Sequence, residues 1–117
     1  MAKRAESSIS FEQFILDEIG LQRKREGIRV LNRYKYLNRA LDILLENQNM
    51  HIQEIYLIIA KENNISKEQV EEEMLLAIKE IFQRKKQKEK FVQIFKNEKI
   101  TNIEEFLIRI IEAYKNS

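Results

Sequence analysis

No proline interrupts this sequence of 117 residues, and only two glycines, Gly20 and Gly27, do. A sheet protein needs turn residues at short intervals, so so little punctuation argues against hairpins and for helices. Apolar side chains recur along the chain at steps of three and four, the spacing of a helix with one buried face. The size suits one domain with one core. The expected fold is all-α: a compact bundle of about six helices containing a helix-turn-helix. Residues 10–117 form the single helical domain, and 1–9 a flexible N-terminal segment.

The first helix is expected from Ser10, a plausible N-cap, to about Ile19, with Phe11, Phe14, Ile15 and Ile19 inward and Gly20 as stop. A basic connector, Leu21 to Glu26, leads to a long helix over Gly27 to Glu46 with Ile28, Leu31, Leu37, Leu41, Leu44 and Leu45 on its apolar face. Asn47 to Asn49 breaks it. A third helix covers His51 to Glu62 with Ile52, Ile55, Tyr56, Ile59 and Ala60 as its repeat. Either Asn63 or Asn64 can take the left-handed conformation that ends it. Ser66 then caps a fourth helix reaching about Phe82, with Gln69 in capping-box position and Val70, Met74, Ala77, Ile78 and Ile81 inward. A short helix over Glu89 to Phe95 follows. Thr101, with Glu104 in capping-box position, opens the last helix, which turns Phe106, Leu107, Ile110, Ile111 and Tyr114 inward.

The formal charge is only +2, yet it is strongly partitioned along the chain. Between Arg23 and Arg39 seven basic residues stand against Glu26, and from Arg84 to Lys90 five stand against Glu89. Between these blocks, Lys61 to Glu73 carries five glutamates and two lysines. Two basic surfaces flanking an acidic one are therefore expected.

Several chemistries find no support. Without cysteine there is no disulfide, thiolate nucleophile or cysteine-bound zinc, and a reducing cytoplasm suits the chain. No apolar run approaches a signal peptide or a membrane span, so no membrane partner is expected. His51 is the only histidine and reads as a helix-start or surface residue. Glu71, Glu72 and Glu73 are consecutive, so they fan around a helix and do not converge as a catalytic pair. No glycine-rich phosphate loop exists. No enzyme, cofactor or metal site is expected.

The segment from Ile55 to Val70 reads as two helices joined by a tight turn. Ala60 stands where the helices would cross, Ile65 would plug the turn, and Val70 would anchor the second helix. The same pattern also serves an ordinary helical hairpin in a bundle. Leu16-Asp-Glu-Ile-Gly20, Tyr34-Lys-Tyr-Leu-Asn-Arg-Ala-Leu41, Ile59-Ala-Lys-Glu-Asn-Asn64 with Val70-Glu71 and Ala77-Ile78-Lys-Glu80, and Lys99-Ile-Thr-Asn-Ile-Glu-Glu-Phe106 occur in that order. Together they resemble the C-terminal effector domain of the sporulation-initiation response regulator of endospore-forming bacteria. The resemblance implies a six-helix transcription regulator that lays its recognition helix in the major groove of double-stranded DNA. It also implies pairing on tandem sites, a homodimer for which the sequence shows no face.

The chain departs from the family in three ways. It is longer and more basic between Gly20 and Tyr34. No phosphate-accepting receiver domain precedes it, so aspartyl phosphorylation is not the expected switch. Gln69, Glu72 and Leu75 stand where the family has arginines, and Leu76 where it has histidine. Base contact is accordingly expected from Lys67, Gln69 and Glu71, because amide and cationic side chains read purines and a carboxylate can accept from cytosine. Phosphate contact is expected from Arg23, Lys24, Arg25, Arg29, Arg33, Arg84, Lys85, Lys86 and Lys88. The alternative is a protein-binding antagonist or adaptor that kept the fold and meets a basic protein surface through Glu68, Glu72, Glu73, Leu75 and Leu76. First-turn carboxylates also simply favour the helix dipole, by about 0.3 to 1 kcal/mol each.

Overall fold

The computed structural model describes residues 9–21, 31–96, 98, 100 and 102–116. All regular structure among them is helical. Helix α1 (Phe11–Gln13) continues as a π-helical segment (Phe14–Ile19). Then come α2 (Asn32–Glu46), α3 (Ile52–Asn63), α4 (Lys67–Phe82), α5 (Glu89–Phe95) and α6 (Ile103–Lys115). The radius of gyration, 14.1 Å, is close to the roughly 13 Å of a folded chain this long.

Side-chain and backbone caps set most helix ends. The Ser10 hydroxyl accepts from the Gln13 amide at 3.1 Å and starts α1. At the other end the Ile15 carbonyl accepts from both Gly20 and Leu21, and the chain reverses through Gly20 at φ +83°. The wider π winding was not legible in the apolar spacing. It delivers Leu21 into the core, where it is 1% exposed. His51 opens α3: its Nδ1 accepts from the Gln53 amide, and the Glu54 carboxylate accepts from the His51 amide.

Two expected starts move. Helix α2 begins at Asn32, and Leu31 is extended and 58% exposed, so it is no core residue. Tertiary contacts fix this start, since Arg33 and Tyr34 in the first turn both bond Glu80 of α4. The expected helical turn over Gly27 to Val30, including Ile28, lies outside the described residues. Helix α6 is capped by Asn102, whose Oδ1 accepts from the Glu105 amide at 2.9 Å. The expected Thr101 with Glu104 is thus out by one position. An aspartate-like short side chain is a strong cap, and the shift lets Ile103 open the buried face.

The core is continuous. Helix α4 packs chiefly on α2 and α3, and α6 closes the base against α2, α4 and α5. Leu37, Leu41, Ile55, Ile59, Val70, Met74 and Leu107 are fully buried, each burial contributing about 1.5 to 3 kcal/mol before entropy is counted. Phe82, Phe91, Phe95 and Phe106 form an aromatic cluster at one end, with Phe95 stacked on Phe106 at 5.1 Å. Tyr114 meets Phe11 and Phe14 at the other, and its hydroxyl donates to the Ile9 carbonyl. Tyr34 and Tyr36 are buried as well.

Candidate nucleic-acid interface

Asn64 and Ser66 make the α3–α4 turn tight. Asn64 is left-handed at φ 57°, its amide donates to the Lys61 carbonyl, and the Ile65 amide reaches back to Ala60 at 3.0 Å. These two bonds satisfy carbonyls at the end of α3 in the Schellman pattern. One residue later the Ser66 hydroxyl accepts from the Gln69 amide at 3.1 Å and opens α4. Ala60 and Val70 are buried and Ile65 packs partly against the core, as the turn requires.

Around α4, Val70, Met74, Ala77, Ile78 and Ile81 face inward. At 100° per residue the opposite ridge is Glu68, Gln69, Glu72, Leu76, Lys79 and Gln83, all exposed. The other glutamates lie on the flanks. Glu73 and Glu80 face α2, where Arg33 pairs with both, at 3.6 Å to Glu73. The Tyr34 hydroxyl donates to the second Glu80 oxygen at 2.6 Å. Burial and then this carboxylate push the Tyr34 phenol above its ordinary range, and burial followed by the Glu73 charge does the same to Tyr36. Glu71 faces the other flank, in a notch shared with α3 and α6.

This arrangement sorts the expected contact residues. Of the base-contact set, Gln69 is on the ridge and Glu71 is off it. Lys67 is half-buried at the edge, donating to Gln53 Oε1 at 3.2 Å. Of the phosphate set, Lys85, Lys86 and Lys88 are exposed beyond the end of α4. Arg33 is held by Glu73 and Glu80, and the Arg84 guanidinium donates to the Gly20 carbonyl at 2.6 Å. Both arginines therefore join helices to each other. Arg23, Lys24, Arg25 and Arg29 lie outside the described residues. Of the alternative protein-binding set, Glu68, Glu72 and Leu76 share the ridge, Leu75 is half-buried against the core, and Glu73 is paired.

Three features were missed in the sequence. Lys79 and Gln83 continue the ridge, and their spacing from Glu72 and Leu76 was a usable signal. Leu57, 48% exposed on α3, was not singled out. The partnership of Glu80 with Arg33 spans 47 residues and has no local signature. Among the described residues no group of acidic, histidine or cysteine side chains is arranged to hold a metal, and no helix is long and apolar enough to cross a membrane. Comparison with protein-family models, curated proteins and solved structures finds no match.

Proposed function

We propose that this chain is a DNA-binding transcription regulator of the sporulation-effector type, with α3, the Asn64–Ser66 turn and α4 as its helix-turn-helix and α4 as an altered recognition helix. The observation that carries the reading is the distribution of charge around α4. Five glutamates on one helix would repel phosphates, but Glu73 and Glu80 are both paired with Arg33, which offsets one of their two charges, and Glu71 is turned aside. Only Glu68 and Glu72 share the ridge with Gln69, Lys79 and Gln83. A helix of 16 residues spans about 24 Å and fits the roughly 12 Å width of a major groove. Gln69 suits adenine, with Lys67 beside it, and one carboxylate can accept from a cytosine amino group. Lys85, Lys86 and Lys88 supply phosphate contact at the far end. The resemblance in residue order described above supports the same reading.

A salt-dependent titration with random duplex and with the family's target site tests it. Binding should weaken steadily with salt, and replacing Lys85 and Lys86 by alanine should reduce the slope of log K against log salt by about 2. No binding to either duplex at low salt ends the reading.

One observation favours a second reading. Leu76 stands exposed between Glu72 and Lys79, and Leu57 is exposed on neighbouring α3. An acidic ridge carrying leucine suits a basic protein surface, making the chain an antagonist or adaptor. Glu72→Ala with Leu76→Ala separates the two: duplex binding holds or strengthens in the first reading, and capture of a basic partner is lost in the second.

A further inference from the structure

Between α1, α2 and the end of α3 lies a cleft that neither reading uses. Its volume, about 340 Å³, falls at the small end of the roughly 300 to 1,000 Å³ of clefts that hold small molecules. Helix α2 supplies most of its wall. Lys35, Asn38, Arg39 and Asp42 line it and, at steps of three and four, share one helix face about 10 Å long. Glu12 comes from α1 and Glu62 from α3.

Two independent observations give the cleft its chemistry. Asn38, which lines it, is only 7% exposed. Its Nδ2 donates to the Tyr34 carbonyl at 2.8 Å, and a carbonyl can only accept, so this bond fixes which way the amide points. The Oδ1 atom at the other end of the amide is buried and receives no hydrogen bond from the chain. A buried acceptor is rarely left so, because losing water without gaining a donor is costly. The second observation is the charge of the rim. Lys35 and Glu12 are exposed there, and neither has an ion-pair partner among the described residues. Arg39 grips Glu62 through Nε and Nη2, which leaves Nη1 to donate elsewhere.

We propose that this cleft binds a free α-amino acid, through its ammonium and carboxylate groups together. The ammonium would donate to Asn38 Oδ1 and, with its other protons, to the carboxylates of Glu12 and Asp42. The carboxylate would accept from Lys35 and from Arg39 Nη1. A zwitterion is the occupant because the wall carries both signs of charge within about two turns of α2. A lone cation would leave Lys35 unanswered, and a lone anion would bring no donor to Asn38 Oδ1. The inference does not rest on DNA binding, since none of these residues lies on the α4 ridge.

The test is a two-dimensional amide NMR titration of the full chain with glycine, L-leucine, L-glutamate and L-lysine, each beside its N-acetyl and its carboxamide derivative. Shifts concentrated at Glu12, Lys35, Asn38 and Asp42 with at least one free amino acid, and affinity weakened at least about tenfold by blocking either end, support the site. Lys35→Met and Glu12→Gln change exposed side chains, so the fold should hold while each weakens that amino acid severalfold. Asn38→Leu, close in size, should weaken it at least about tenfold. If that variant fails to fold, the two exposed ones carry the test. No shift at about 10 mM of any of the four would overturn the proposal and leave water as the partner of Asn38 Oδ1. Equal response to a blocked derivative, or the same shifts from ammonium acetate, would overturn it too, because separate ions would then suffice. So would triglycine binding as tightly as glycine, because its charged ends are too far apart to act as one amino acid.

Discussion

The Arg84 guanidinium, just past the end of α4, donates to the carbonyl of Gly20 at 2.6 Å and so ties the candidate recognition helix to the end of the first helix, 64 residues earlier. A charged donor on a half-buried carbonyl contributes about 1.5 to 3 kcal/mol. This contact gives Arg84 a structural role, and in the proposed DNA-binding reading phosphate contact falls to Lys85, Lys86 and Lys88. Arg84→Ala should lower the urea unfolding free energy by about 1 to 2 kcal/mol. In the duplex titration at a temperature where the variant stays folded, its salt slope should match the parent. A slope reduced as much as by Lys85→Ala would show that Arg84 touches phosphate.

Gly20 is constrained twice. Its φ of +83° is strained for any residue with a Cβ, and a Cβ there would stand 2.9 Å from Lys88 Cγ. Gly20→Ala should therefore destabilise the chain by about 1 to 3 kcal/mol. Adding Lys88→Ala should restore only the steric part. Full recovery in the double variant, read by thermal unfolding, would mean that the backbone is free to relax.

The α3–α4 turn gives different signs for glycine and alanine at Asn64, and a loss at Ser66 two residues later. Asn64 is left-handed, so Asn64→Gly should leave stability unchanged or raise it by up to about 1 kcal/mol, and Asn64→Ala should lower it by about 1 kcal/mol. Ser66→Ala removes the bond to the Gln69 amide and should cost about 1 kcal/mol. Denaturant melts of the three variants check the order. Ser66→Ala should also speed amide exchange in the first turn of α4, where DNA would be met.

Arg39 grips both oxygens of Glu62 on α3, and this hydrogen bonding holds the Glu62 carboxyl below its ordinary value near 4.5. A depressed folded value stabilises the protein above the unfolded value, and that contribution is lost as pH falls through the folded one. The pair is well exposed, so the effect should stay under about 1 kcal/mol. Glu62→Gln should flatten the stability profile below about pH 4.5, with little change above pH 6 beyond the loss of this pair. An unchanged acid limb would show that solvent screens the contact completely.

Tyr56 shifts the other way. Burial, then the charges of Glu71 and Glu104, push its phenol up to about 12, so the neutral form is favoured in the folded state. That contribution is complete below the ordinary value near 10 and is lost as pH rises towards 12. Ultraviolet titration should show Tyr34, Tyr36 and Tyr56 all ionising late, and Glu71→Gln with Glu104→Gln should bring Tyr56 down. A Tyr56 phase that persists unchanged in that variant would trace the shift to burial alone.

The sequence by itself determined what depends on neighbours along the chain. Missing proline, apolar spacing and short polar caps set the helices, and Ser10, Gly20, Ser66 and the α5 bounds fell where local rules place them, because capping and amphipathicity act within a few residues. Even the Thr101 expectation missed its cap by one position. Tertiary structure alone decided what each charge does. Arg33 counts as a phosphate binder in a linear reading and is a clamp in the folded chain, because Glu73 and Glu80 lie on the flank of α4 that packs against it. For the same reason the glutamate run looks prohibitive for DNA as text and divides three ways in space: to Arg33, to the Tyr56 notch, and to the open ridge. Coulomb interactions fall with distance, and distances between helices are fixed only when the core closes.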